Sequence, residues 1–240
     1  MLKMERNIKL HGDLLSQPVR AVALMLQANG IKYEFVYRDF FKREETIQGE
    51  EYVKINPFKR VPTLQIDGMN ITESSAALQY LAELEGIEPH WYPRSGPERV
   101  LVHTYLAWHG PDMRGNSVNF LRTTEAGQAF TGTKMPAEEL KEKRVKLETM
   151  LDQLENIWLK EKPYLTGNDI TIADLQCISE IAIVEVVLAE EITRNQPKLS
   201  AWIKRVKDYL KPHYDNIFKE PMTAFENMLK AAREKLNKSN

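Results

Sequence analysis

Residues 13–20 read Asp13-Leu14-Leu15-Ser16-Gln17-Pro18-Val19-Arg20, and this stretch sets what surrounds it. Upstream, Ile8–Leu10 is a short apolar run with strand character. Downstream, Pro18 suits the first turn of a helix, where its missing N–H leaves no bond unmade. Val22, Met25 and Leu26 follow at helical spacing, and Gly30 supplies a stop after Asn29. Residues 13–16 therefore form a strand-to-helix turn that carries a hydroxyl.

Working outward, Tyr33–Tyr37 is rich in aromatic and β-branched residues and reads as a second strand. Glu50–Ile55 reads as a short helix ending before Asn56-Pro57. Thr63–Ile66 and Met69–Ile71 flank Asp67-Gly68, a hairpin signal. Ser74–Leu84 reads as a helix closed by Gly86. The order is β-α-β-α-β-β-α, and the helical crossover makes the second strand parallel to the first. Pro89, Pro93, Gly96 and Pro97 mark residues 87–97 as a linker. Beyond it the pattern is helical throughout, with candidates at 98–122, 136–161, 172–191, 197–210 and 221–236. Gly127 and Gly132 make 123–135 read as a loop. The expected organisation is an α/β domain over 6–86, a linker over 87–97 and an all-helical domain over 98–240.

The 240 residues are 42% hydrophobic and 28% charged, the balance of a globular chain and not of a disordered one. A net charge of −1 offers no polyelectrolyte face for nucleic acid. No apolar run reaches the ~20 residues of a membrane span, and the polar start, MLKMERN, does not read as a secretory signal. Cys177 is the sole cysteine, which excludes an internal disulfide and fits a reducing cytosol. The five histidines lack metal-binding spacing, so no metal is expected.

Three motifs carry chemistry. Ser16 lies at the positive end of a helix, where it serves either as a plain N-cap or as a hydroxyl beside a bound anion. In Asn56-Pro57-Phe58-Lys59-Arg60-Val61-Pro62-Thr63-Leu64, Pro62 stands at a strand start, in a plain turn or as a cis peptide. The latter would leave the Val61 backbone free to pair with an extended peptide. Thr72-Glu73-Ser74-Ser75 heads the next helix, either as a cap or as a carboxylate site.

Together these motifs resemble the thioredoxin-like domain of cytosolic glutathione transferases, and DLLSQPxR, NPFKRVPTL and ITES are similar to the theta class. The resemblance continues through Trp91-Tyr92-Pro93, Tyr105-Leu106-Ala107-Trp108 and Leu165-Thr166-Gly167, covering roughly residues 7–210. It implies that Ser16 donates a hydrogen bond to the glutathione sulfur. That bond favours the thiolate of a thiol whose free pKa is about 8.5. Val61 would pair with the cysteinyl backbone, and Glu73 and Ser74 would hold the γ-glutamyl end. Arg60 would lie close by. Arg114, in WHGPDMRG, would approach glutathione, or else sit in an ion pair or at the surface.

The chain departs from the family where theta enzymes place a histidine for the glycine end of glutathione. Here Lys42-Arg43-Glu44-Glu45-Thr46-Ile47-Gln48 has none, leaving Gln48, Lys42 or Arg43 as candidates. His11 stands where an aromatic is usual and reads as packed in or beside the sheet. Thr171 and Asp174 read as a capping box, with Ile170 and Leu175 as its hydrophobic staple. Cys177, in an apolar run, reads as core.

The resemblance implies a cytoplasmic homodimer that uses glutathione as co-substrate. It would conjugate the thiolate to small hydrophobic electrophiles such as halides and epoxides, with peroxide reduction a related possibility. The alternative is a non-catalytic binding or assembly module on the same fold.

Overall fold

The computed structural model describes residues 6–132 and 134–238. The polar start at residues 1–5, residue 133 of the expected loop and the last two residues of the helical stretch lie outside the described residues. Four strands, β1 (Lys9–Gly12), β2 (Glu34–Tyr37), β3 (Thr63–Ile66) and β4 (Met69–Ile71), form one sheet in the order β2-β1-β3-β4. β2 runs parallel to β1, as the crossover helix requires, whereas β3 is antiparallel to β1 and to β4. Asp67 and Gly68 both have positive φ, 51° and 78°, which suits a tight two-residue hairpin.

The crossover helix α1 (Gln17–Ala28) is buried nearly all round, with Val19, Val22, Leu24 and Leu26 inaccessible to solvent. It packs on the sheet and against three other helices, so it has no solvated face. Each such side chain contributes about 1.5–3 kcal/mol by burial. A Cβ at Gly12 would come within 2.5 Å of the Val19 side chain, so this close approach of helix to strand requires glycine.

Two short helices, α2 (Arg43–Thr46) and α3 (Glu50–Ile55), join β2 to β3, and α4 (Ser74–Ala82) follows β4. The order is therefore β-α-β-α-α-β-β-α; α2 is one turn with no buried residue and leaves no periodic trace in the sequence. Within 87–97 a 3₁₀ turn, Pro89–Trp91, buries Trp91 and Tyr92.

The remainder is helical: α5 (Gly96–Trp108), α6 (Gly115–Thr123), α7 (Glu125–Thr131), α8 (Ala137–Gln153), α9 (Ile172–Asn195), α10 (Pro197–Tyr209) and α11 (His213–Lys238). The expected helix over 98–122 is interrupted by a wide π turn, His109–Arg114, which takes in Pro111 and shifts the register of α6. The 136–161 stretch likewise ends in a π turn, Leu154–Trp158. The expected loop over 123–135 is largely α7. Gly127 is not a breaker there: a Cβ would fall 2.0 Å from the Leu121 carbonyl, so glycine lets α7 start against the end of α6. Gly132, at φ 67°, closes the helix. The last helix begins eight residues earlier than expected, because Pro221 lies inside it and not at its start.

Candidate functional site

The strand pairing alone gathers the three motifs. His11 pairs with Thr63 in antiparallel β1 and β3, so the end of β1 lies beside the start of β3. Gly12 pairs with Tyr37, and Leu64 with Ile71. Residues 13–16, 38–42, 60–62 and 72–74 therefore all emerge at one end of the sheet.

Ser16 is the N-cap residue of α1 in position, with extended backbone (φ −80°, ψ 123°), but its side chain makes no capping hydrogen bond. The hydroxyl, in a residue only 7% exposed, is thus not spent on the helix. Asp13 shapes the turn. Its carbonyl accepts from Ser16 N at 2.9 Å, and its carboxylate accepts from Leu15 N at 2.9 Å and Phe40 N at 3.2 Å.

Beneath the turn lies Arg20, fully buried. Its Nη1 donates to the Leu14 and Leu15 carbonyls at 2.7 and 3.0 Å, and its Nη2 to the Ser179 carbonyl of α9 at 2.8 Å. Phe218 of α11 caps the guanidinium at 5.1 Å. Burial brings its pKa down to about 10, with Glu180 opposing, so it stays charged at neutral pH. The sequence offered no sign of this tie beyond an arginine two residues past a proline.

The Val61-Pro62 peptide is cis. Asn56, fully buried, holds the loop before it: Nδ2 donates to the Arg60 carbonyl at 2.8 Å and to Thr63 Oγ1 at 2.9 Å, and Oδ1 accepts from Phe58 N at 3.0 Å. Tyr52 donates its hydroxyl to the same Arg60 carbonyl at 2.7 Å. Among the described residues the Val61 N–H and C=O make no backbone hydrogen bond. The Arg60 side chain is exposed beside them.

Glu73 is exposed at the N-cap of α4 and gives no capping bond, and Ser74 is the first helical residue, half-buried. Gln176 of α9 reaches this point, its Nε2 donating to Ser74 Oγ at 3.2 Å and Ser75 Oγ at 2.9 Å. Sequence patterning gave Gln176 no role.

Arg114, on the π turn, pairs with buried Glu180 at 2.6 Å, and Ser117 donates to the other carboxylate oxygen at 2.6 Å. The ion-pair reading of Arg114 is thus realised, while its side chain keeps 37% exposure. Glu180 follows Ser179, so this pair lies against the Arg20 anchor.

Gln48 is exposed, and among the described residues its side chain makes no hydrogen bond to the other site residues. Arg43 lies closer: its Nη2 faces the Lys59 carbonyl at 3.4 Å and its guanidinium covers the Phe40 ring at 5.3 Å. Phe40 stacks on Phe130 of α7 at 5.9 Å, and Phe41 meets Phe130 edge-on at 5.8 Å. This half-exposed trio bridges the two parts of the chain near the Ser16 turn.

His11 is buried, bonded to Gln65 Oε1 at 2.6 Å, and burial lowers its pKa; it packs in the sheet as expected. Cys177 is buried in α9, and burial raises its thiol pKa further from reactivity. The capping box at Thr171 is present. Among the described residues no helix is long and apolar enough to cross a membrane.

Comparison with known proteins bears on the fold and the family. The glutathione S-transferase N-terminal domain model matches residues 10–83, and the C-terminal domain model residues 120–208. The chain belongs to the glutathione S-transferase family. It is 34% identical to glutathione S-transferase theta-2 of Mus musculus over 203 residues, 85% of this chain and 82% of that protein. Human glutathione transferase theta-2, solved with glutathione and an unknown ligand, superposes with a TM-score of 0.84 at 31% identity, covering 95% of this chain and 91% of the other. A human theta-class enzyme solved with the glutathione conjugate of 1-menaphthyl sulfate also gives 0.84, at 32% identity over 96% and 91% of the two chains.

Proposed function

We propose that this theta-like glutathione transferase activates glutathione through Ser16 and transfers the thiolate to a small hydrophobic electrophile. The observation that carries the reading is the Ser16 hydroxyl itself, buried at a helix N-terminus yet unused as a cap. A hydroxyl so placed donates to an anion, and the helix end adds positive potential. Stabilised in this way, the glutathione sulfur attacks the electrophilic carbon. The C–S bond forms as the carbon–halogen bond breaks or the epoxide opens, and the thiol proton has already left to solvent. Ser16 is neither base nor nucleophile.

In the same reading the free Val61 peptide pairs with the cysteinyl backbone, and Glu73 and Ser74 take the γ-glutamyl end. Arg60 adds positive charge, and Arg114, paired with Glu180, offers the exposed part of its guanidinium as a hydrogen-bond donor. At the glycine end Arg43 is better placed than Gln48, because it faces the loop that leads to Val61. The electrophile lies between the domains, against the Phe40, Phe41 and Phe130 rings. A cytoplasmic homodimer is part of the proposal, supported by the family resemblance; sedimentation tests the dimer and cell fractionation the location.

Turnover of a panel of alkyl halides, aralkyl halides and epoxides with glutathione tests the reading. A rate above the uncatalysed one on at least one substrate is expected. No rate on any of them, with glutathione still bound, would leave the binding-module alternative standing.

A further inference from the structure

We propose that Gln176, from the helical domain, is a positioning residue of the glutathione carboxylate site, fixing the Ser74 and Ser75 hydroxyls as donors toward the ligand. The inference rests on the reading that Ser74 takes the γ-glutamyl α-carboxylate.

The argument starts from hydrogen-bond polarity. A serine hydroxyl donates once and accepts through its lone pairs. Gln176 Nε2 carries two protons and gives one to each hydroxyl, at 3.2 and 2.9 Å. Each oxygen has then received a proton and keeps its own O–H to give elsewhere. Gln176 is 3% exposed and approaches from the protein side, while Ser74 and Ser75 are half-buried and open on the other. The remaining protons are therefore aimed outward, at the head of α4, where no side chain caps the helix. An incoming carboxylate meets hydroxyl protons together with first-turn N–H groups. A free serine hydroxyl rotates, so donor polarity fixed in advance removes that freedom before binding.

A second observation indicates that the amide is held for this purpose. Gln176 Oε1 is one of two buried side-chain polar atoms without a partner among the described residues. Leaving an acceptor unmade is unfavourable. An apolar side chain of the same length would fill the space without that penalty and without orienting the serines. The amide is thus explained by its Nε2 side alone.

The test compares glutathione with 4-aminobutyryl-cysteinyl-glycine, which lacks only the α-carboxylate. The ratio of kcat/KM for the two thiols measures what the carboxylate contributes, independently of enzyme amount. In wild type the ratio is expected to be large. Gln176→Met is expected to raise KM for glutathione and lower the ratio about tenfold, the scale of hydrogen bonds to a charged group. Its kcat at saturating glutathione is expected to stay within about twofold, since the sulfur site is untouched. Gln176→Glu turns the polarity round, because its carboxylate accepts both hydroxyl protons and adds a like charge; a larger fall is expected. It also serves as the second variant if the methionine form does not fold.

Equal losses for both thiols, or an unchanged ratio in either folded variant, would overturn the proposal. Ser74→Ala separates this from failure of the underlying reading. If Ser74→Ala lowers the ratio and the Gln176 variants do not, only the positioning role is wrong. If Ser74→Ala leaves the ratio intact, the carboxylate binds elsewhere and both readings fall.

Discussion

Arg20 Nη2 donates to the carbonyl of Ser179 across the boundary between the sheet domain and the helical domain, at 2.8 Å. The other terminal nitrogen of the same guanidinium, Nη1, holds the Leu14 and Leu15 carbonyls, so the turn that presents Ser16 is tied directly to α9. A lysine keeps the charge but cannot point in two directions at once. Arg20→Lys is therefore expected to cost about 2–4 kcal/mol of stability by leaving buried carbonyls unpaired. It should also lower kcat/KM for glutathione by loosening the turn. Denaturant unfolding and turnover at saturating electrophile measure the two effects. Wild-type turnover in a destabilised variant would show that the tie holds the domains together without placing Ser16.

Ser16→Ala separates capping from catalysis. The Ser16 side chain gives α1 no hydrogen bond, so removing the hydroxyl should move the melting temperature by little. The loss of a hydrogen bond to a thiolate is worth about 1.5–3 kcal/mol. That corresponds to a rise of one to two units in the pKa of bound glutathione and to a fall of about ten- to a hundredfold in kcat/KM at neutral pH. The pH–rate profile should shift to higher pH with its plateau largely retained. A variant with the wild-type profile would remove Ser16 from the mechanism.

The fold and the site were legible in different degrees, for physical reasons. The sheet and α1 announce themselves because strand and helix periodicities, Pro18, Asp67-Gly68 and Gly86 are local signals. α7 was hidden because Gly127 is needed for contact with α6, and a glycine used for close approach looks like a breaker. Pro221 looks like a helix start for the opposite reason: buried Ile217 and Phe218 hold α11 on the core, so the helix runs through a residue that normally ends one. Within the site, Ser16, Val61-Pro62 and Glu73-Ser74 stand in recognisable turns. Arg20, Glu180 and Gln176 do not, because their partners are distant in sequence: Ser179, Arg114 and Ser74 lie 159, 66 and 102 positions away. Patterning along a chain carries no information about such pairs.

His109 makes stability depend on pH. Burial lowers its pKa from 6.5 to about 4, with Glu180 opposing that shift and Arg114 adding to it. Between these two values the unfolded chain binds a proton that the folded chain refuses. Unfolding therefore takes up a proton, and stability is lost as pH falls from 6.5 toward 4, with no further loss from this group below that. Between pH 7 and pH 4.5 the group should account for about 2.5 kcal/mol. His109→Gln should flatten the stability curve by that amount relative to wild type, as read from denaturant unfolding at the two pH values. Parallel curves for the two proteins would show that His109 does not titrate in this way.

Asp174 should prove more costly to replace than Thr171, although both belong to one capping box. Thr171 Oγ1 accepts from Ala173 N, and its loss as alanine should cost about 0.5–2 kcal/mol, an ordinary N-cap. Asp174 is fully buried. It accepts from Thr171 N at 2.9 Å, Thr171 Oγ1 at 3.2 Å, Leu165 N at 3.0 Å and Trp202 Nε1 at 2.8 Å. It thus joins the start of α9 to the segment before it and to α10. Burial raises its pKa while these donors pull the other way. Asp174→Ala strands four buried donors, and about 3–5 kcal/mol is expected. Asp174→Asn keeps the shape, but its amide nitrogen faces donors, so recovery should be partial. Thermal and denaturant unfolding of the three variants should rank them Thr171→Ala, Asp174→Asn, Asp174→Ala in rising cost. Where they fold, the pH–rate profile should keep its wild-type midpoint, because none of these groups bonds to the turn that carries Ser16. Equal costs for Thr171→Ala and Asp174→Ala would mean that the carboxylate acts as a cap alone and the Trp202 bond contributes nothing.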